Sequence, residues 1–195
     1  KQALAQHGIV VGSHILQIND IKEERFNPMG VSDAELAELH AKKFAVMNDA
    51  VGEKMQERIL QAKSELNSVG GVIEAIALHL PAGIGAPYFD SVESMLSHAL
   101  FSVPAVKGVE FGDGFGFAGL TGAEANDALH YVDGKVRALT NHNGGVTGGI
   151  TNGMPLVVRV AIKPTPSIAR EQQTVSLKEQ ADTTLAIVGR HDPCI

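Results

Sequence analysis

Apolar and polar positions along this chain alternate between a strand period and a helix period. Gly8 to Ile18 (GIVVGSHILQI) is a mostly apolar run that predicts a strand or a bent pair of strands. Residues 19–31 are polar connection. Ser32-Asp33-Ala34-Glu35 is a capping box, in which a hydroxyl and a carboxylate three residues apart satisfy backbone donors, so a helix is expected to His40 or Phe44. Val51, Met55, Ile59, Ala62 and Leu66 recur at helical spacing with Glu53, Lys54, Glu57, Arg58 and Lys63 on other faces. That pattern predicts a longer helix, stopped by Asn67-Ser68 and Gly70-Gly71. Val72 to Leu80 reads as a strand with His79 inside it, and Ala82 to Pro87 as a glycine- and proline-rich loop. Asp90-Ser91-Val92-Glu93 reads as a second capping box, opening a helix that buries Val92, Met95, Leu96, Ala99 and Leu100.

After Pro104 the texture changes. Ala105 to Phe117 (AVKGVEFGDGFGF) suggests short strands broken at Gly108, Gly112, Gly114 and Gly116, where bulges are expected. Gly122 to Lys135 reads as polar loop with a helical turn at Ala123 to Ala128. Leu156 to Ile162 is a β-branched run that predicts a buried strand. Thr174 to Leu177 and Thr183 to Val188 offer two more strands around a Lys178-Glu179-Gln180 bend. Strands and helices do not alternate in a regular βαβ order, so a segregated or layered α+β architecture is expected over residues 1–195.

Composition narrows the function classes. With 195 residues the chain can bury a substantial core, and with no Trp that core is mainly aliphatic. A formal net charge of −6 and no basic run argue against a nucleic-acid partner. The single Cys194 excludes an internal disulfide. No apolar run reaches membrane-spanning length and no signal-peptide pattern opens the chain, so no membrane partner and a cytoplasmic location are expected. The chain begins at Lys1 and stops directly behind Gly189-Arg190-His191-Asp192-Pro193-Cys194, which reads as a cut, so a piece of a longer protein is expected.

Candidate chemistry concentrates in two places. Twelve of the 21 glycines fall between Gly108 and Gly153, including the pairs Gly144-Gly145 and Gly148-Gly149. Glycine lets a ligand approach backbone N–H groups closely, and the strand that follows ends in Lys163-Pro164-Thr165-Pro166-Ser167, a cation with two hydroxyls. Together these could hold an anion such as a phosphate. They also read as a glycine-rich hairpin with a lysine at its end, and spacing leaves the two open. Arg190-His191-Asp192 joins a permanent cation, an imidazole and a carboxylate suited to a phosphate and to proton relay, but standing alone it reads rather as a charged surface turn. His142 has no second ligand at metal spacing and reads as a satisfied loop histidine, His79 as a hydrogen-bonded strand residue. Cys194 has no base placed beside it. Walker and Rossmann fingerprints are absent.

The run NHNGGVTGGITNGMPLVVRVAIKPTPSI, with AVKGVEFGDGF from Ala105, PAGIGAPYFD at Pro81–Asp90 and GRHDPCI at Gly189–Ile195, resembles chorismate synthase. The blocks stand in that family's order. The resemblance implies a layered β-α-β sandwich with helices between antiparallel sheets, assembled as a homotetramer. It implies a lyase that converts 5-enolpyruvylshikimate 3-phosphate into chorismate by anti 1,4-elimination of phosphate. Reduced FMN is required without net redox change; NADP is associated with the family, and the sequence leaves the source of flavin reduction open. The family's flavin-contacting segments fall on Pro104 and Ala105, Gly148, Lys163, Pro164, Thr165, Pro166, Ser167 and Arg190. Asp192 matches its aspartate near the flavin, with a part in proton handling. Pro104 departs from the Asn often found there, so a side-chain amide contact is lost. The family's two catalytic histidines and its arginine-rich substrate segments have no counterpart among these residues, and neither does the segment after GRHDPC. The resemblance therefore implies about half of the enzyme, inactive alone. The alternative is a non-catalytic flavin- or anion-binding module on the same scaffold.

Overall fold

The computed structural model describes residues 2–189 and 192–194. After a helical turn α1 (Gln2–Ala5), the chain builds β1 (Val10–Ile18), β2 (Ile21–Lys22), α2 (Asp33–Ala41), α3 (Asp49–Ser64) and β3 (Gly71–Leu78). Helix α4 (Val92–Phe101) and strand β4 (Val106–Phe111) follow. Three small hairpins are β5 (Leu129–Val132) with β6 (Lys135–Ala138), β7 (Val146–Thr147) with β8 (Ile150–Thr151), and β10 (Gln172–Ser176) with β11 (Ala181–Leu185). Between the last two lies β9 (Leu156–Ile162).

A five-stranded sheet in the order β2-β1-β3-β9-β4, antiparallel throughout, organises the molecule, which is the expected segregated α+β arrangement. Strand β9 sits between β3 and β4 and is buried from Leu156 to Val160, with Arg159 the one charged residue in an otherwise apolar run. Successive side chains of a strand face opposite ways. Ile76, Leu78 and Val157 pack with Phe26 and with Leu36 and Leu39 of α2 on one face. Ala77 and Leu156 pack with Val92 and Leu96 of α4 on the other. Leu36 presses onto Gly12, leaving no room for a Cβ there. Helix α3 closes a third cluster through Met55 and Ala62 against Ile15, Ile18 and Val69.

The expected elements between β1 and α4 form, with local differences. The capping box at Ser32 and Glu35 is made in both directions. Helix α3 ends at Ser64, and Leu66 leaves the apolar stripe for a left-handed φ of 56° with its side chain exposed. His79 lies past the strand, also left-handed, and bonds Asp33 (3.1 Å). The N-cap of α4 is Ser91, whose hydroxyl accepts from Ser94 N–H (3.0 Å); Asp90 belongs to the preceding turn. None of the five residues expected to be buried on α4 is fully buried, because Met95 and its neighbours line an open apolar cleft of about 510 Å³ beside β1, β3 and β9. Residues 106–111 form one strand, with the expected bulge between Val106 and Gly108, and a tight 3-10 turn follows. The expected loop at 122–135 holds most of the β5–β6 hairpin, turned at Asp133-Gly134 with φ of 51° and 74°.

Candidate functional site

Strand β9 separates the candidate residues into two groups. Seven residues at about 3.3 Å each put its ends ~20 Å apart. The glycine-rich loop lies at the Leu156 end and the Lys163–Ser167 turn at the Ile162 end.

At the first end, Asn141 is fully buried and donates from Nδ2 to the Pro28 carbonyl (2.7 Å) and the Pro155 carbonyl (2.9 Å), while its Oδ1 accepts from Gly145 N–H (2.8 Å). Asp127 accepts from the Thr140 hydroxyl, from His142 N–H, and from both the backbone and the side chain of Asn143, all within 2.8–3.0 Å. Burial pushes the Asp127 carboxyl up, and these four donors outweigh it, so it sits below the ordinary aspartate value. His142 pairs with Asp113 through Nδ1 (2.6 Å), as expected of a satisfied loop histidine. Gly148 and Gly149, with φ of 60° and 86°, are the two central residues of the β7–β8 turn, a geometry that by itself demands glycine. Gly148 is exposed and faces open space.

At the second end the antiparallel return of β4 onto β9 pairs Val106 with Ile162. That register places Ala105 beside Lys163, whose N–H donates to the Ala105 carbonyl (2.9 Å). Ala105 holds a left-handed φ of 69°, a strained choice for a residue with a Cβ. Lys163, Pro164, Pro166 and Ser167 are exposed and Thr165 is half-buried. The side chains of Lys163, Thr165 and Ser167 enter no hydrogen bond or ion pair among the described residues. The Thr165 carbonyl accepts from the buried Ser68 hydroxyl (2.6 Å), and Val69 N–H donates to the Pro193 carbonyl (2.8 Å). Asp192 is exposed at the rim of a cavity of about 390 Å³ whose wall includes Ile15, Ile73 and Ile162. Ala105, Lys163 to Ser167 and Asp192 are thus gathered at one corner, with exposed Pro104 adjoining it in sequence, and Gly148 is not among them. Arg190 lies outside the described residues.

The most highly charged interior cluster is one the sequence reading passed over. His14 of β1 bonds Glu23 through Nδ1 and Glu74 of β3 through Nε2 (3.0 Å). Glu74 also accepts from Phe26 N–H (2.6 Å) and from Arg159 Nη1 of β9 (3.0 Å). Arg159 continues to Glu110 of β4 through Nε and to the Gly112 carbonyl through Nη2. Burial pushes the Glu74 carboxyl up, and the bonds from His14, Phe26 N–H and Arg159 bring it below the ordinary glutamate value. The signal in the sequence was an arginine in the centre of a β-branched strand, which must find partners to be buried. No group of three His, Cys, Asp or Glu suited to a metal ion exists among the described residues.

A family model described as chorismate synthase matches residues 1–195. A chorismate synthase of Thermococcus kodakarensis is 44% identical over 195 residues, covering all of this chain and 53% of its own length. One from Korarchaeum cryptofilum is 50% identical over 142 residues, or 73% of this chain and 39% of the relative. A solved structure titled "Crystal Structure of Chorismate Synthase" superposes with a TM-score of 0.78 at 31% identity, over 86% of this chain and 52% of that one. The chain spans about half the length of the Thermococcus relative and of the solved structure.

Proposed function

Because the chain belongs to the chorismate synthase family, we propose that it supplies the cofactor-facing portion of an enzyme that forms chorismate from 5-enolpyruvylshikimate 3-phosphate by anti 1,4-elimination of phosphate. The observation that carries this reading is the corner at the Ile162 end of β9, where two backbone hydrogen bonds and one from Ser68 gather segments far apart in sequence.

The donor set suits reduced FMN. A flavin is rich in oxygen acceptors, and Lys163 offers an ammonium group beside the hydroxyls of Thr165 and Ser167, none of them engaged elsewhere among the described residues. Bound there, the reduced flavin would supply the electron density that lets a carbon–oxygen bond to phosphate break without net oxidation. The chain's own part is to hold and orient. The Ala105 carbonyl fixes the start of the turn through Lys163 N–H, and Pro164 and Pro166 stiffen it. Pro104 has no N–H, so it offers only a carbonyl. We assign the proton-handling role to Asp192, which lies at the rim of the cavity behind Ile162. Arg190, two residues before it, completes the proposed flavin contacts. Gly148, in the turn at the Leu156 end of β9, is not gathered into this corner. The working form is proposed to be a cytoplasmic homotetramer, and the 195 residues by themselves are proposed to be inactive.

A titration of the complete gene product with FMN tests the reading. Lys163→Met should weaken binding by about 1–3 kcal/mol, the scale of a lost charge-assisted hydrogen bond. Unchanged affinity would remove Lys163 from the site.

A further inference from the structure

Two adjacent residues between α3 and β3 touch both segments of the proposed flavin corner. Helix α3 ends in a reversal in which Leu66 N–H donates to Lys63 O (3.1 Å) and Asn67 N–H to Ala62 O (2.9 Å). This is the paired bonding of a left-handed helix terminus, and it delivers Ser68 and Val69 into the interior, 9% and 3% exposed. The Ser68 hydroxyl donates to the Thr165 carbonyl at 2.6 Å. Val69 N–H donates to the Pro193 carbonyl at 2.8 Å, and Val69 pairs with Cys194 as a parallel bridge. Gly70 then passes so close to the same turn that a Cβ would overlap the Ile162 carbonyl and meet Pro164 Cδ at 2.9 Å. Its own carbonyl is tied to Asn19 N–H (2.9 Å).

We propose that Ser68, with Val69 and Gly70 beside it, is a positioning clamp that sets the Lys163–Ser167 turn against the Asp192–Cys194 segment. The proposal rests on the reading of this corner as the flavin site. Residues 165 and 193 are far apart in sequence, yet two consecutive residues of a third segment hold both. The hydroxyl of Ser68 therefore touches no ligand. It fixes the carbonyl of Thr165, and with it the direction in which the Lys163 ammonium and the Thr165 and Ser167 hydroxyls are presented. A turn that keeps its sequence but loses this donor has to find its orientation anew on each binding event, at a cost in affinity.

The test compares variants of the complete gene product by FMN titration, thermal midpoint and steady-state chorismate formation. Ser68→Ala should weaken FMN binding about five- to tenfold, the scale of one lost hydrogen bond. Ser68→Cys, which keeps the size but is a poor donor, should do the same, and Ser68→Thr should restore most of the affinity. The control is Ser32→Ala, which removes the N-cap of α2 and should lower the thermal midpoint while leaving FMN affinity alone. Wild-type FMN affinity in Ser68→Ala and Ser68→Cys, with Lys163→Met still impaired, would overturn the clamp and leave the site reading standing. Wild-type affinity in Lys163→Met as well would overturn both.

Discussion

Arg159 occupies the middle of the most thoroughly buried strand, and its guanidinium reaches Glu74, Glu110 and the Gly112 carbonyl. Removing one member of such a set leaves charges in a low-dielectric interior without compensation. Arg159→Met should therefore destabilise the fold by about 3–5 kcal/mol, read as a lower urea midpoint. A loss of under 1 kcal/mol would mean that Glu74 and Glu110 find water or protons instead. Leu66 is the opposite case. It is 55% exposed and holds a left-handed backbone that glycine adopts freely. Leu66→Gly should stabilise the protein by about 1 kcal/mol with an unchanged denaturant slope. A destabilised variant would show that the exposed leucine makes a contact worth more than the backbone strain.

Among the elements, the glycine loop depends on Asp127 as well as on its glycines. Four donors hold this carboxyl below its ordinary pKa. A carboxyl depressed in the fold stabilises fully above its unfolded pKa, and that contribution disappears as pH falls through the folded value. The same applies to Glu74. Stability should thus be insensitive to these groups from neutral pH down to about 5 and fall progressively below it. In Asp127→Asn the acid limb should be shallower and the neutral-pH stability lower. An acid limb identical to wild type would exclude Asp127 as a contributor.

The same elements show what periodicity could and could not convey. Helix α2 was legible from its capping box, α3 from apolar residues at helical spacing, and strands β1, β3 and β9 from apolar or β-branched runs. The β5–β6 hairpin was missed although Asp133-Gly134 is a turn signal, since its strands are almost wholly exposed and show no buried face. The segments of the corner were legible from resemblance one by one. Their meeting was not, because it follows from β4 returning onto β9 with Val106 opposite Ile162, and from Ser68 reaching back to Thr165. Gly148 shows the converse: it stands close to Lys163 in sequence and is held apart by the length of β9.

For the whole molecule, one sheet with helices on both faces presents the corner at its edge. Among the described residues no helix is long and apolar enough to cross a membrane. The proposed division of labour gives flavin contact and proton handling to this chain. Asp192→Asn in the complete gene product should lower kcat about tenfold or more while largely sparing FMN affinity. Wild-type turnover would leave Asp192 a structural role.

The most direct measurement is an anaerobic assay with reduced FMN and 5-enolpyruvylshikimate 3-phosphate, run on the complete gene product and on the 195 residues alone. The complete product should release chorismate and phosphate in equal amounts with the flavin still reduced at the end. The 195 residues alone should form none detectably, since catalysis by positioning needs the whole constellation at once. A complete product that binds reduced FMN yet forms no chorismate would contradict the proposed function. Turnover by the 195 residues at the rate of the complete product would show that the catalytic groups all lie within them.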